Sequence, residues 1–322
     1  MTAISNSDML VTVFGATGFL GRHVVRALAG HGYRMRAAVR RPDLAGPLQP
    51  LGGVGQIHAV QANLRHPASV EAAVRDSAVV VNLVGILFER GRQRFGAVHA
   101  GGADVVARAA AAHGARLIHV SAIGADDNAT ARYARTKGLG EKAVFAAVPE
   151  AVVFRPSIIF GPDDAFFNKF AAMARLAPVL PLVGGGRTRF QPVFGGDVGE
   201  AVAKAVANET TPGTIYELGG PEVYNFKELM QFVLATVDRR RLLLPIPFWV
   251  AKVIGQFLQF LPSPLLTPDQ VELLKQDNVV SVSALREERT LKGLRIEPRS
   301  IEVIVPSYLW RYRKTGQFRR PD

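Results

Sequence analysis

Gly15, Gly18 and Gly21 recur at intervals of three in VTVFGATGFLGRHVV, between a strand-forming run and an amphipathic helical pattern. In that context the spacing has a chemical meaning. Gly15 permits a tight turn, Gly18 lets the backbone approach a pyrophosphate, and Gly21 lets helix and strand pack closely. The uncapped N–H groups and positive dipole end of the following helix favour phosphate. Thr17, Phe19 and Leu20 lie within the same turn and are expected beside the ligand. The bland alternative is a tight turn that holds no phosphate.

The end of the second apolar run selects the nucleotide. An NAD site places an acid there, about 20 residues past the glycines, to hold the ribose hydroxyls. This chain has Arg40 and Arg41 in AAVRRPD, with no acid before Asp43. Two guanidinium groups suit a 2′-phosphate, so NADP(H) is expected over NAD(H). Asn63 and Leu64, after the third run, stand where the adenine would lie. Val84 and Gly85 of NLVG, after the fourth, are expected beside the adenosine ribose.

Tyr133 and Lys137 are four apart in RYARTKGLGEK, so they share one face of a helix. In a nicotinamide fold the ammonium would bond the ribose and lower the phenol pKa, leaving the tyrosine able to exchange a proton with a carbonyl or alcohol. Ser121, at the end of the fifth run, would supply a second hydroxyl.

Together GATGFLG, NLVG, YARTK and RPSIIFGP resemble the extended or atypical short-chain dehydrogenase/reductase superfamily. YARTKGLGEKAV, RFQPVFGGDVGEAVAKAV and LLTPDQVELLKQDNVV are similar to one branch: the NADPH-binding accessory subunit of respiratory NADH:ubiquinone oxidoreductase (complex I) and its bacterial relatives. The resemblance implies a tightly held NADP(H), complex I subunits as partners, and Pro156 and Ile158 in the cofactor-binding set. Two departures weaken turnover. Ala122, Ile123 and Gly124 follow Ser121, so no second hydroxyl stands there, and His99 replaces the asparagine common on the preceding helix. A non-catalytic accessory subunit is therefore expected. The alternative is an NADP-dependent short-chain reductase, dehydrogenase or epimerase of a small or nucleotide-linked substrate, with Tyr133, Lys137 and Ser121 catalytic.

Positioning these residues requires strand–helix alternation. Nearly continuous Val/Ile-rich runs at 9–14, 33–39, 56–61, 78–85, 116–121 and 151–160 read as strands buried on both faces. Helical patterns near 19–30, 67–75, 98–114 and 133–147 intervene. The fold class is α/β, a Rossmann-type doubly wound parallel sheet with a smaller C-terminal lobe. Residues 1–165 are expected in the dinucleotide-binding domain, with 191–220 returning to it, and 166–322 in the lobe.

The lobe carries a stretch, 242–266, whose only charge is Lys252. Its prolines leave 248–261 uninterrupted, too short to span a bilayer. It is either a helix buried against the sheet domain or an interfacial helix meeting a membrane surface or partner, preceded by Arg239–Arg241. Residues 308–322 carry five basic side chains against one Asp, as a solvated tail or an acidic-partner contact. Arg187 and Arg189 would either bind an anion or pair with Asp163 or Asp164.

The bulk numbers agree. The chain has 322 residues, 48% hydrophobic, a net charge of +12 and no cysteine. That excludes a disulfide framework and a thiolate site, and favours an acidic partner. All seven histidines precede residue 120 without ligand spacing, so no metal is expected. No nucleic-acid motif and no nucleophile elbow is present. With no secretory signal at the N-terminus, a peripheral place on the cytoplasmic face of a bacterial inner membrane is expected, or the matrix side if the chain is a processed eukaryotic one.

Overall fold

The computed structural model describes residues 6–261, 264–316 and Phe318. The expected apolar runs become strands β1 (Leu10–Phe14), β2 (Arg34–Val39), β3 (Ile57–Gln61), β4 (Val79–Asn82), β5 (Arg116–Val120) and β6 (Val152–Pro156). With Ile215–Leu218 they form a seven-stranded sheet, ordered 215–218, β6, β5, β4, β1, β2, β3, in which every pairing is parallel. The chain starts at the centre, runs outward to β3, then returns to β4 on the other side of β1. The loops after β1 and β4 therefore emerge side by side, at the switch point where such folds bind ligands.

The helices are α1 (Phe19–Gly30), α2 (Pro67–Val74), α3 (Gly101–Ala112) and α4 (Arg132–Ala147). The last three cover one face of the sheet over Phe14, Val80, Leu117 and Val153. Right-handed crossovers put α1 on the other face, packed on the helix Gly195–Val206. α1 buries Gly21, Val24, Val25 and Leu28, one stripe at helical spacing.

Two element boundaries differ from the sequence reading. The helix expected over 98–114 begins instead as a π-turn, Gly96–Ala100, ahead of α3. The run 151–160 breaks after Pro156, and Ile159–Phe160 pairs with Val193–Phe194 away from the main sheet.

The chain divides into two compact units. The first holds residues through Pro156, Gly195–Leu218 and Ser281–Glu297; the second holds Ser157–Phe194, Gly219–Val280 and the chain from Pro298. Residues 281–297, expected in the lobe, thus belong with the sheet. The Glu217 N–H donates to Arg289 O at 2.9 Å, and the Arg289 guanidinium donates to Ile215 O at 2.6 Å. This segment covers the open edge of the last strand, which would otherwise expose unpaired backbone groups.

The second unit is built around an aromatic core that includes Phe160, Phe167, Phe190, Phe226, Tyr308 and Leu309. Asp164 is fixed inside it by the Tyr308 hydroxyl at 2.5 Å and by the Phe166 N–H at 2.9 Å. The start of the basic tail is docked rather than loose: Arg313 Nε donates to Thr236 O at 2.8 Å. Arg319, Arg320 and Asp322 lie outside the described residues.

The helix Phe248–Leu258 packs through its small residues. Ala251 and Gly255 are its buried positions, and Gly255 is set against Thr267 and Pro268. Phe248 packs inward on Val183, Ala251 and Val271, but other large apolar side chains point outward: Trp249 is 72% exposed, Phe257 74%, and Phe260, just beyond the helix, 84%. The expectation of a buried helix is met on one side only. No helix among the described residues is long and apolar enough to cross a membrane.

Gly21 is the packing point of the first unit, because a Cβ there would collide with the carbonyl oxygens of Gly15 and Ala16. Gly30, at the exposed end of the same helix, has nothing within 4 Å of a Cβ position. Gly21→Ala is expected to cost on the order of 3 kcal/mol, whereas Gly30→Ala should stabilise by about 0.5 kcal/mol. Urea melts of the two variants check this; equal effects would contradict the close approach.

Candidate functional site

The glycine turn has the shape its sequence implies. Gly15 adopts φ +83°, a left-handed conformation suited to glycine, and a Cβ there would lie 3.3 Å from the backbone of Leu83 and Val84. The Gly18 N–H closes the turn on Gly15 O at 3.0 Å. Gly18 then caps α1 without any side-chain hydrogen bond, which leaves the first-turn N–H groups of the helix unsatisfied by side chains. Thr17 and Gly18 are exposed, and Phe19 and Leu20 are half-buried at this helix start. The arrangement suits an anion: backbone donors and a positive dipole end, with the Arg22 guanidinium bonded to Thr17 O at 3.0 Å on the same turn.

The loop after β4 runs against this turn. The Leu83 N–H donates to Phe14 O at 3.0 Å, and the Val84 N–H donates to the buried Asn82 Oδ1 at 3.1 Å. Gly85 is exposed on one side; on the other, a Cβ would stand 3.5 Å from Lys137 Nζ and 3.8 Å from His99 Nε2. The residues expected along the nucleotide, from Gly15 to Gly85 to Lys137, thus form one continuous lining.

Ser121 follows β5, its own N–H bonded to Phe154 O at 2.7 Å. Its Oγ is buried and has no hydrogen-bond partner. A buried hydroxyl left unpaired costs stability unless a ligand or water satisfies it. An orphaned buried hydroxyl at the end of β5 fits a polar ligand there. His119, one turn of the pleat earlier, is also buried with both ring nitrogens unpartnered. Burial and the neighbouring Lys137 charge push its pKa down to about 3, so it is neutral.

Lys137 is buried and donates to Val120 O at 3.1 Å. Burial pulls its pKa down to about 8, with Glu141 one helical turn on opposing the fall. Glu141 is itself held by Arg155 through two hydrogen bonds, 2.9 and 2.5 Å. Tyr133 behaves differently from expectation. Burial pushes its pKa up to about 12, whereas the sequence reading had Lys137 lowering it. Its half-buried ring stands edge-on to His99 at 5.2 Å and to Phe95 at 5.8 Å. The phenol is therefore held protonated at neutral pH.

Other expected residues are more dispersed. Arg40 is exposed at the end of β2. Arg41 is paired with Asp43, Nη2 to Oδ2 at 2.7 Å, so the acid just beyond the pair already engages one guanidinium. Asn63 Oδ1 accepts from the Arg65 N–H at 3.2 Å, and Leu64 packs on the start of α3 at Gly102. Pro156 is buried and accepts the Ile123 N–H at 3.1 Å. Ile158 belongs to the second unit, half-buried against its core. In that unit Arg189 pairs with Asp277 at 2.7 Å, while Asp164, one of the acids expected for it, is committed to Tyr308.

Two residues carry more than their sequence signals gave. His99 had been marked only as a replacement for asparagine, and Thr136 is hidden inside the Tyr-x-x-x-Lys motif. They are bonded to each other, Nδ1 to Oγ1, at 3.1 Å. Nothing local in the sequence reveals this pair, because the π-turn sets the direction of His99.

The burial of Lys137 generates a pH-dependent prediction. Its folded pKa lies below that of an unfolded lysine, so between about pH 8 and pH 10.5 the unfolded chain binds more protons and stability rises with pH. Below about pH 8 the penalty is fully present. Lys137→Met should therefore raise stability at pH 7, by about 1–2 kcal/mol once loss of the Val120 bond is subtracted, and the gain should fade towards pH 10.5. Denaturant titrations at pH 7 and pH 10 measure it; destabilisation at both would contradict a strained lysine.

Comparison with known proteins agrees with this geometry. Residues 11–219 match the NAD dependent epimerase/dehydratase family. The chain is 33% identical to the mitochondrial NADH dehydrogenase [ubiquinone] 1 alpha subcomplex subunit 9 of Arabidopsis thaliana, over 97% of this chain and 80% of that protein. It is 37% identical over 203 residues to the ceramide reductase of Caulobacter vibrioides, covering 63% of this chain and 62% of that one. The NADPH-dependent quinone oxidoreductase QOR2 of Escherichia coli, solved with NADPH, shares the fold at a TM-score of 0.71 and 19% identity, over 93% of this chain and 99% of that chain. The switch-point cradle and the nucleotide lining agree with the family match: the chain belongs to the NAD dependent epimerase/dehydratase family, a nicotinamide-dinucleotide fold of the extended short-chain dehydrogenase/reductase type.

Proposed function

We propose that this protein is an accessory subunit of respiratory NADH:ubiquinone oxidoreductase that holds NADP(H) without turning it over. The observation that carries the assembly is the 33% identity to a protein of that name over 97% of the chain, which includes the second unit as well as the sheet.

In this reading Gly15, Thr17, Gly18, Phe19, Leu20 and Gly21 hold the pyrophosphate through backbone N–H groups. Val84 and Gly85 run beside the adenosine ribose, and Ser121, Tyr133 and Lys137 line the nicotinamide half, with Pro156 and Ile158 beyond. Asn63 and Leu64 flank the adenine. When bound, the nicotinamide supplies hydride chemistry. Tyr133 holds its proton tightly and Ser121 is the lone hydroxyl beside it, so the chain's own groups favour retention over proton exchange. Arg40, which has no carboxylate partner among the described residues, is the stronger donor for a 2′-phosphate. Arg41 would have to share its charge with Asp43.

A second reading has one specific observation behind it. The 37% identity to a reductase covers the unit carrying the Tyr133–Lys137 pair. In that reading the same residues bind the dinucleotide and Tyr133 donates its proton to a substrate oxygen.

Detergent extraction of native membranes followed by native electrophoresis separates the two. Co-migration with a large respiratory assembly, with NADP(H) rather than NAD(H) recovered from it after dialysis, is the expected result. A free monomer or dimer that oxidises added NADPH with a carbonyl compound would overturn it.

The peripheral membrane site follows from the helix Phe248–Leu258. Trp249, Val253 and Phe257 recur every four residues on its exposed side, continued by Phe260 and flanked in sequence by Arg239–Arg241. An outward apolar stripe with a basic flank suits the interface of an anionic bilayer. The isolated protein is expected to float with vesicles containing anionic lipid and to lose most of that binding in the triple variant Trp249→Ser, Phe257→Ser, Phe260→Ser. Equal flotation of variant and wild type would refute the membrane assignment.

A further inference from the structure

His99 is buried between two segments that the proposed nucleotide site needs in register. Its Nε2 accepts the Ile86 N–H at 3.1 Å, from the loop that carries Val84 and Gly85. A ring nitrogen that accepts carries no proton, so Nδ1 bears it and donates to Thr136 Oγ1 at 3.1 Å. The Thr136 hydroxyl then donates onward to Arg132 O at 2.8 Å, within the helix that presents Tyr133 and Lys137. One chain of directed bonds thus runs from the β4 loop into α4, with the imidazole tautomer fixed by it.

The ring itself also has a task. It stacks on Phe95 at 5.3 Å and 24° and meets the Tyr133 ring edge-on at 5.2 Å and 86°. Gly140 lets α4 come this close, because a Cβ there would collide with His99 O. The π-turn Gly96–Ala100 turns His99 inward at this point. Wide turns of this kind recur at functional sites.

We infer that His99 is a positioning residue for the nicotinamide half of the bound dinucleotide: it locks the Val84–Ile86 loop to α4 so that Gly85, Tyr133 and Lys137 keep one geometry. This rests on the proposed nucleotide site and assigns no proton transfer to His99, since both ring nitrogens are already committed. The bonds of the lock end at Ile86 and in α4, on the Lys137 side of Gly85, whereas Val84 abuts Gly15, so the larger effect is expected on the nicotinamide half.

The test compares two probes, NADPH and 2′,5′-ADP, the latter lacking the nicotinamide half, by titration of the purified full chain stripped of nucleotide. His99→Phe keeps the stacking but removes both bonds and strands the Ile86 N–H. It should weaken NADPH about tenfold and leave 2′,5′-ADP within about twofold, as expected for one buried donor left unpaired. His99→Gln, which can accept and donate but has no ring, should recover part of the NADPH loss, and it keeps the test open if His99→Phe does not fold. Thermal melts of each stripped variant report folding separately. Equal losses for both probes, or unchanged NADPH binding in both variants, would overturn the inference. If the wild-type chain binds neither probe, the nucleotide site itself fails and the inference falls with it.

Discussion

The first turn of α1 rests on the backbone of the turn before it, and this contact constrains everything downstream. Gly21 has no room for a methyl group because the Gly15 and Ala16 carbonyls stand where one would go. That closeness brings the start of the helix to the end of β1 and leaves its first N–H groups without a side-chain cap. The sheet order then brings the β4 loop to the same place, because β1 and β4 are neighbours although widely separated in sequence. Without the close approach the two loops would not form one lining.

The other half of the site depends on a costly burial. Lys137 sits in the interior with one backbone carbonyl as its bonded partner and its charge opposed by desolvation. Buried charges persist where something else requires them. Glu141 supplies part of the compensation, and Arg155 in turn fixes Glu141 with a two-pronged bond, so α4 is anchored to β6 by ionic contacts as well as by packing. Ser121 and His119 add unpaired polar atoms nearby. Such a concentration of unsatisfied polar groups costs stability, as groups kept for binding do.

Much of this was legible in the chain. The glycine turn, its strand and its helix are local features, each specified by residues within a few positions of one another, and Val/Ile runs without polar alternation announce strands covered on both sides. Tyr133 and Lys137 share a helix face for the same local reason. What escaped depends on contacts across long separations. The segment 281–297 falls by position in the expected lobe, and its bonds to the Ile215–Leu218 edge assign it to the sheet. The π-turn ahead of α3 is one residue of extra winding, invisible to a helical period, yet it decides where His99 points. The direction of the Tyr133 pKa was misread because a four-residue spacing says which side chains share a face, not how dry that face is.

The chemistry of the site turns on that dryness. A phenol becomes a useful acid when a nearby positive charge stabilises its anion. Here Lys137 gives one N–H to Val120 O, while Tyr133 is edged by Phe95 and by a histidine whose nitrogens are both engaged, and burial holds the phenol pKa up. The donors that grip phosphate are backbone amides, whose readiness does not depend on protonation. The proposed accessory role rests on that contrast, between backbone donors that are always ready and a phenol that burial keeps protonated.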